Sequence, residues 1–256
     1  MMKNYPLHLL LFLLLSVGST ATAFAQEQEE KKDKFKQQIQ EFPFTEAVYL
    51  QQRRDVQATV SYFRTENSLQ VGNALSMNLE YGLTDWLQVA AGLENELFKS
   101  EGNKYTLRRL ELGTMFRLFH SPRQAVALSL EVELPLNKPY IASDDVEANK
   151  VSYAPALIYA RQFGQTQLHL SGGAELEAKE VNWFYNAAAV YGTGRWHPVL
   201  EVTGTHQQEA DWYAGTGIVL NHLHGWEVVA GVRRSLQYPD WDTSVKVLYE
   251  FNLGEE

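Results

Sequence analysis

Past residue 50 the chain breaks into about a dozen segments in which apolar and polar side chains alternate with a period of two. This is the pattern of strands that keep one face apolar and the other polar. The predicted strands are 55–65, 70–81, 86–97, 105–119, 124–135, 150–163, 166–177, 182–191, 195–206, 211–221, 225–236 and 242–253, a count of twelve. Short connections (82–85, 120–123, 164–165, 192–194, 222–224) alternate with loops that are on the whole longer, the longest being Leu136 to Asn149. An even number of strands, short turns on one side and longer loops on the other is the layout of an antiparallel transmembrane β-barrel with its short turns in the periplasm.

Lysine decides which face meets water. Of the ten lysines after residue 25, Lys31, Lys32, Lys34 and Lys36 precede the strands, Lys99, Lys104, Lys138, Lys150 and Lys179 fall at strand ends or loops, and only Lys246 lies inside a strand. A soluble sandwich would carry lysines along its wet face. Here one face is Leu, Val, Tyr and Phe and the other is Gly, Ala, Ser, Asn, Gln and Glu, as when apolar side chains face lipid and small polar ones line a lumen. The tryptophans agree, since Trp86, Trp183, Trp196, Trp212, Trp226 and Trp241 all fall near predicted strand ends. With Tyr81, Tyr191, Tyr249 and Phe251 at the periplasmic rim and Phe184, Tyr213 and Tyr238 at the other, they are expected to form two aromatic girdles.

The first 25 residues read as a secretory signal: Lys3, an apolar run from Leu7 to Val17, and Ala23-Phe24-Ala25 before the expected cleavage point. That run is too short for a permanent spanning helix, which needs roughly 20 apolar residues. The domain plan is therefore a signal peptide over 1–25, a polar periplasmic leader over 26–54 and an outer-membrane barrel over 55–253; the leader and Phe42 to Arg54 are expected to hang in the periplasm, with folding inward as a plug the alternative. Removing the signal takes away Lys3 and no acid, so the formal charge moves from -9 to -10. Such an acidic chain is a poor nucleic-acid binder, because that affinity rests on clustered Lys and Arg. There is no cysteine, and the histidines are scattered, so no zinc spacing is present and neither metal nor other cofactor is expected. The expected partners are outer-membrane lipid and lipopolysaccharide, the barrel-assembly machinery and a small-molecule solute.

Several stretches resemble a known family. The hairpin Leu79-Glu80-Tyr81-Gly82-Leu83-Thr84-Asp85-Trp86-Leu87-Gln88, the turn and strand Arg195-Trp196-His197-Pro198-Val199-Leu200-Glu201, Gly225-Trp226-Glu227 leading to Gly231-Val232-Arg233-Arg234, and the closing Val247-Leu248-Tyr249-Glu250-Phe251 appear in order along most of 55–253. Together they resemble the small outer-membrane barrel family named for transporters of the meta-pathway of phenol degradation. The resemblance implies a barrel that passes small, often aromatic, solutes and supplies no catalytic residues. The C-terminus departs from that pattern, running on to Leu253-Gly254-Glu255-Glu256 instead of ending on an aromatic.

Parity identifies the lumen. Leu110, Leu112, Phe116 and Leu118 are expected to face lipid, leaving Arg109, Glu111, Gly113 and Arg117 inside. Tight registers place Arg109 near Glu133 and Glu94, Glu111 beside Glu131, Arg233 near Lys246, and Glu227 near Glu250. Glu94, Arg109, Glu111, Arg117, Glu131, Glu133, Glu201, Arg233 and Lys246 are thus the candidate lumen and selectivity residues, able to orient polar solutes by their field or to pair and close the lumen. Passive passage of small solutes is the expected function, with a closed structural or surface-interaction barrel, using the acidic Leu136 to Asn149 loop, as the alternative. His169-Leu170-Ser171 resembles the His-x-Ser element of an outer-membrane lipid A deacylase, with Glu175 or Glu177 as orienting acid. Parity puts His169 and Ser171 in the lumen, out of reach of lipid, so the chain is read as non-enzymatic.

Overall fold

The computed structural model describes residues 41–45, 47–66, 70–100, 103–136, 150–177, 180–192, 194–206, 210–221 and 225–254. The expected signal peptide, the leader up to residue 40 and nearly all of the Leu136 to Asn149 loop lie outside them. Twelve strands follow one another: β1 Asp55–Glu66, β2 Gln70–Thr84, β3 Leu87–Ser100, β4 Asn103–Ser121, β5 Gln124–Pro135, β6 Ser152–Phe163, β7 Thr166–Glu177, β8 Glu180–Tyr191, β9 Trp196–His206, β10 Ala210–Asn221, β11 Trp226–Ser235 and β12 Trp241–Asn252. Each pairs antiparallel with its neighbours in sequence, and β1 closes on β12 from Asp55 opposite Asn252 to Glu66 opposite Trp241. The sheet is a closed barrel, which leaves no edge strand unpaired.

Period-two alternation sets inside from outside. Leu79 and Leu200 are 58% and 65% exposed on the outer face, while Gln57 and Glu201 are 1% and 2% exposed on the inner one. An outer wall of exposed leucine, valine, tyrosine and tryptophan is the surface of a barrel set in lipid. No helix among the described residues is long and apolar enough to cross a membrane, so crossing falls to the strands. All six tryptophans, with Tyr249 and Phe251, are exposed on the outer face. Phe184 and Tyr213 differ from the girdle expectation: Phe184 lines the internal cavity, and Tyr213 stands under the Arg233 guanidinium at 4.7 Å. Each follows an outward tryptophan, Trp183 or Trp212, and alternation turns it inward.

Several strands run longer than expected, β3 and β4 among them. β3 and β4 continue to Ser100 and from Asn103, so Lys99 and Lys104 pair within the sheet instead of sitting in a loop. At its other end β4 continues to Ser121 and carries a bulge between Arg117 and Phe119. That bulge sets the register of the site below.

Candidate functional site: the barrel lumen

Three inward carboxylates surround one guanidinium on the β3 to β5 wall. Arg109 Nη1 lies 3.5 Å from Glu94 Oε1 and 3.7 Å from Glu96 Oε2, and its Nε lies 3.5 Å from Glu133 Oε2. Arg109 faces Glu94 directly across β3 and β4, as expected. On the other side the expected closeness of Arg109 to Glu133 holds, but the register beneath it differs: Glu111 faces Glu133 and Arg109 faces Pro135, because the longer β4 and its bulge slide the β4–β5 pairing. Carboxylate oxygens of Glu111, Glu131 and Glu133 come within 4.8 Å of one another. Hard oxygen ligands so placed suit a divalent cation or a hydrated monovalent one. Glu111 gets its position from Gly92, where an added Cβ would sit 3.0 Å from its Oε2.

The opposite wall is paired differently from expectation. Arg233 faces Asp242 and bonds it, Nε to Oδ2 at 2.7 Å, rather than lying near Lys246. Glu227 faces Leu248, not Glu250. Lys246 Nζ instead bonds Glu41 Oε2 at 2.7 Å, and Glu41 belongs to the stretch that precedes the barrel.

That stretch corrects the expectation of a leader hanging in the periplasm, at least for residues 41–54. Phe42 and Leu50 are 0% and 1% exposed. Phe42 and Ala47 pack with Ala188, Val190, Val199, Val219, Val229 and Leu248 from β8 to β12. Val48, Tyr49 and Leu50 pack with Ala125, Ala127, Ile158 and Ala160 from β5 and β6. The segment therefore lies inside the barrel. It enters across Gly82, whose Cβ would fall 1.9 Å from the Gln52 carbonyl oxygen, and turns at Arg54, which adopts a φ of 70°. Pro43 rests on Gly217 and Gly231, where an added Cβ would lie 2.6 Å from its ring in either case.

Polar contacts fix the rest of it. The Phe44 N–H donates to Glu201 Oε1 at 3.2 Å, the Gln51 N–H donates to Gln88 Oε1 at 2.7 Å, and the Arg233 guanidinium lies 4.6 Å from the centre of the Phe44 ring. Burial decided the outcome: Phe42, Val48 and Leu50 carry apolar surface that water in the periplasm would have to solvate.

Beside the segment a cavity of about 600 Å³ remains. Of the expected lumen residues, Glu94, Glu111, Glu131, Arg233 and Lys246 line it, together with Glu80 and Glu96, which were not singled out from sequence. Arg109 and Glu133 belong to the adjoining charge cluster, and Glu201 lies under the inserted segment. Arg117 faces Ala127 and is not part of the lining. His169 and Ser171 point inward, as parity demands. Phe42 and Tyr49 meet the imidazole edge-on at 4.5 and 5.7 Å, while the Ser171 hydroxyl accepts a hydrogen bond from Asn186 Nδ2 at 3.1 Å. The nearest polar side chain bonded to His169 is Gln167, at 3.4 Å, so no carboxylate orients the ring.

No protein-family model and no curated protein matches the chain. Solved structures do. The COG4313 outer membrane channel from Pseudomonas putida F1 aligns with a TM-score of 0.65 at 12% identity, over 80% of this chain and 98% of that one. The KdgM porin aligns at 0.54 and 11% identity, over 76% and 99%. The translocator domain of the autotransporter NalP from Neisseria meningitidis aligns at 0.52 and 9%, over 78% and 89%. The chain has the fold of outer-membrane barrels. Channels and a translocator share that fold, so it does not by itself choose the activity.

Proposed function

We propose that this protein is a passive channel of the bacterial outer membrane for small solutes, with a preference for cations. The observation that carries this reading is the cavity of about 600 Å³ inside a lipid-facing wall, lined on one side by Glu94, Glu96, Glu111 and Glu131. Carboxylates in a confined lumen raise the local concentration of cations and repel anions. On the opposite side Arg233 and Lys246 already have Asp242 and Glu41 as partners, so they add little field of their own. The resemblance to the phenol-pathway transporter family extends the solute class to aromatic or other organic compounds. The KdgM porin has been solved with disordered oligogalacturonate. A polyanion of that kind would meet repulsion here. The proposed role is transport without covalent chemistry, since His169 and Ser171 are each bonded to an amide side chain and His169 is covered by Phe42 and Tyr49.

The test is the reversal potential of the refolded protein in a planar bilayer under a potassium chloride gradient, repeated with Glu94, Glu111 and Glu131 changed to Gln. A cation preference that falls several-fold in the triple variant supports the reading. An unchanged preference would remove the acidic wall from it. A folded barrel silent in every form would favour the closed structural barrel, which the filling of the lumen by residues 41–52 supports.

A further inference from the structure

We propose that Glu41 to Gln52 is a gate, seated in the lumen in the closed state and released from it in an open one. The inference rests on the channel reading above. Its first support is that the wall is complete without the segment: twelve strands close on each other from β1 to β12, and residues 41–52 add no strand to the ring. Barrel integrity and segment seating are therefore separate equilibria.

The seat is held by polar contacts and is imperfectly satisfied. Its anchors include the Glu41–Lys246 pair, the Phe44 N–H on Glu201, the Arg233 guanidinium over Phe44 and the Gln51 contacts at Gln88 and Gln57. Thr45 and Glu201 hydrogen-bond each other through their side chains, while His169 Nδ1 is buried beneath Phe42 and Tyr49 with no hydrogen-bond partner among the described residues. That nitrogen opposes the closed state, because water reaching it on release would satisfy it. Against this stand the buried Phe42 and Leu50, which keep the closed state the resting one.

Position supplies the remaining arguments. Glu41, Pro43, Phe44, Thr45, Ala47 and Tyr49 form one side of the cavity, so whatever occupies the cavity touches the segment directly. A solute can thus bias the gate only through contacts it makes differently in the two states, and these six residues offer them. The pivot is exposed: Gln52, Arg53 and Arg54 lie at the rim next to the crossing of Gly82.

The absence of cysteine gives a clean reporter. In the full-length protein carrying Thr45→Cys, a water-soluble maleimide should react slowly. Adding Lys246→Gln should speed labelling roughly tenfold or more, since a buried charge left unpaired strongly disfavours the state that buries it, and should enlarge the conductance steps. Exchanging the pair, Glu41→Lys with Lys246→Glu, should restore slow labelling, which general damage to the barrel would not do.

A variant lacking residues 41–52 separates the two readings, with heat-modifiable electrophoretic mobility as the check that its barrel has formed. Larger steps in this variant, with labelling and steps of Lys246→Gln equal to those of the parent, would make the segment a permanent constriction and overturn the gate while sparing the channel. A folded deletion variant that does not conduct would overturn the channel and the gate with it. If the deletion variant does not fold, equal labelling rates in the parent, Lys246→Gln and exchanged proteins overturn the gate alone.

Discussion

The two halves of the lumen obey the same alternation and put it to opposite uses. On β8 to β12 one band of inward positions is apolar, and Val190, Val199, Val219, Val229 and Leu248 are each at most 2% exposed beneath Phe42. On β3 to β5 the inward positions are Glu94, Glu96, Glu111, Glu131 and Glu133, half-buried about a single arginine and next to open space. Alternation settles only which side of the wall a residue occupies. Whether that side is wet or dry depends on what the inward residue is: a carboxylate must be hydrated or paired, whereas a valine is better covered. One side therefore holds a segment of the chain and the other keeps a cavity.

The dry half is the easier one to break. Phe42→Ala removes the largest fully buried side chain of the inserted segment, and the usual cost of such a truncation in a packed core is about 3 to 5 kcal/mol. The loss should fall on seating rather than on the barrel, whose strand bonds do not involve Phe42. Limited proteolysis in detergent should then cut between residues 41 and 54 at least tenfold faster, with little change in the temperature at which the barrel unfolds. Unfolding that drops together with the protection would show seat and wall to be one cooperative unit.

Much of this was legible from the chain. Strand number, order and facing follow from period-two alternation and the near absence of lysine from the strands. The acidic wall follows as well, because Glu94, Arg109, Glu111 and Glu133 all fall on the inward parity of their own strands. Pairing partners were harder. A bulge between Arg117 and Phe119, with two further residues in β4, moved the residue opposite Glu111 from Glu131 to Glu133, and alternation breaks only at the bulge itself, where Leu118 and Phe119 are both exposed.

For the inserted segment the polar, charged composition of residues 26–54 favours solvent over an inward plug, and the structure takes the plug for its described residues. The signal that could have found it lies in the wall. At Ala187 to Val190, Val228 to Ala230 and Val247-Leu248 alternation lapses, and both faces are apolar. An apolar inward face requires a cover, and Phe42, Val48, Tyr49 and Leu50 are apolar residues just ahead of the barrel in sequence.

Gly82 sharpens the comparison at the point where the segment crosses from the rim into the lumen. Gly82→Ala would place a Cβ 1.9 Å from the Gln52 carbonyl oxygen and 2.8 Å from that of Gln51. Backbone, not a flexible side chain, has to move, and forced overpacking of this kind costs about 1 to 3 kcal/mol. The Arg54 N–H to Gly82 carbonyl bond, 2.8 Å long, should be lost with it. Faster exchange of the Arg54 amide with deuterium, with β6 to β9 unaffected, is the expected result. Uniform destabilisation would mean that the crossing is part of the barrel's own closure.

The wet half offers the mildest contrast, between two arginines that each meet a glutamate across the same strand chemistry. Arg109 touches Glu94, Glu96 and Glu133 with its side chain 30% exposed, whereas Arg64 touches Glu66 with both side chains about half exposed, 47% and 58%. Removing Arg109 leaves three carboxylates facing one another in a narrow space. Breaking a fully buried pair costs about 3 to 5 kcal/mol, and lumen water discounts this to about 1 to 2 kcal/mol. Arg109→Ala should therefore lower the unfolding temperature at neutral pH, and added divalent cation should recover part of the loss by bridging the carboxylates. Arg64→Ala should change nothing measurable, because solvent replaces the guanidinium at Glu66 as fast as it is removed. Equal effects of the two substitutions would mean that the lumen screens charge as well as bulk water does, and the acidic wall would then carry no field strong enough to select ions.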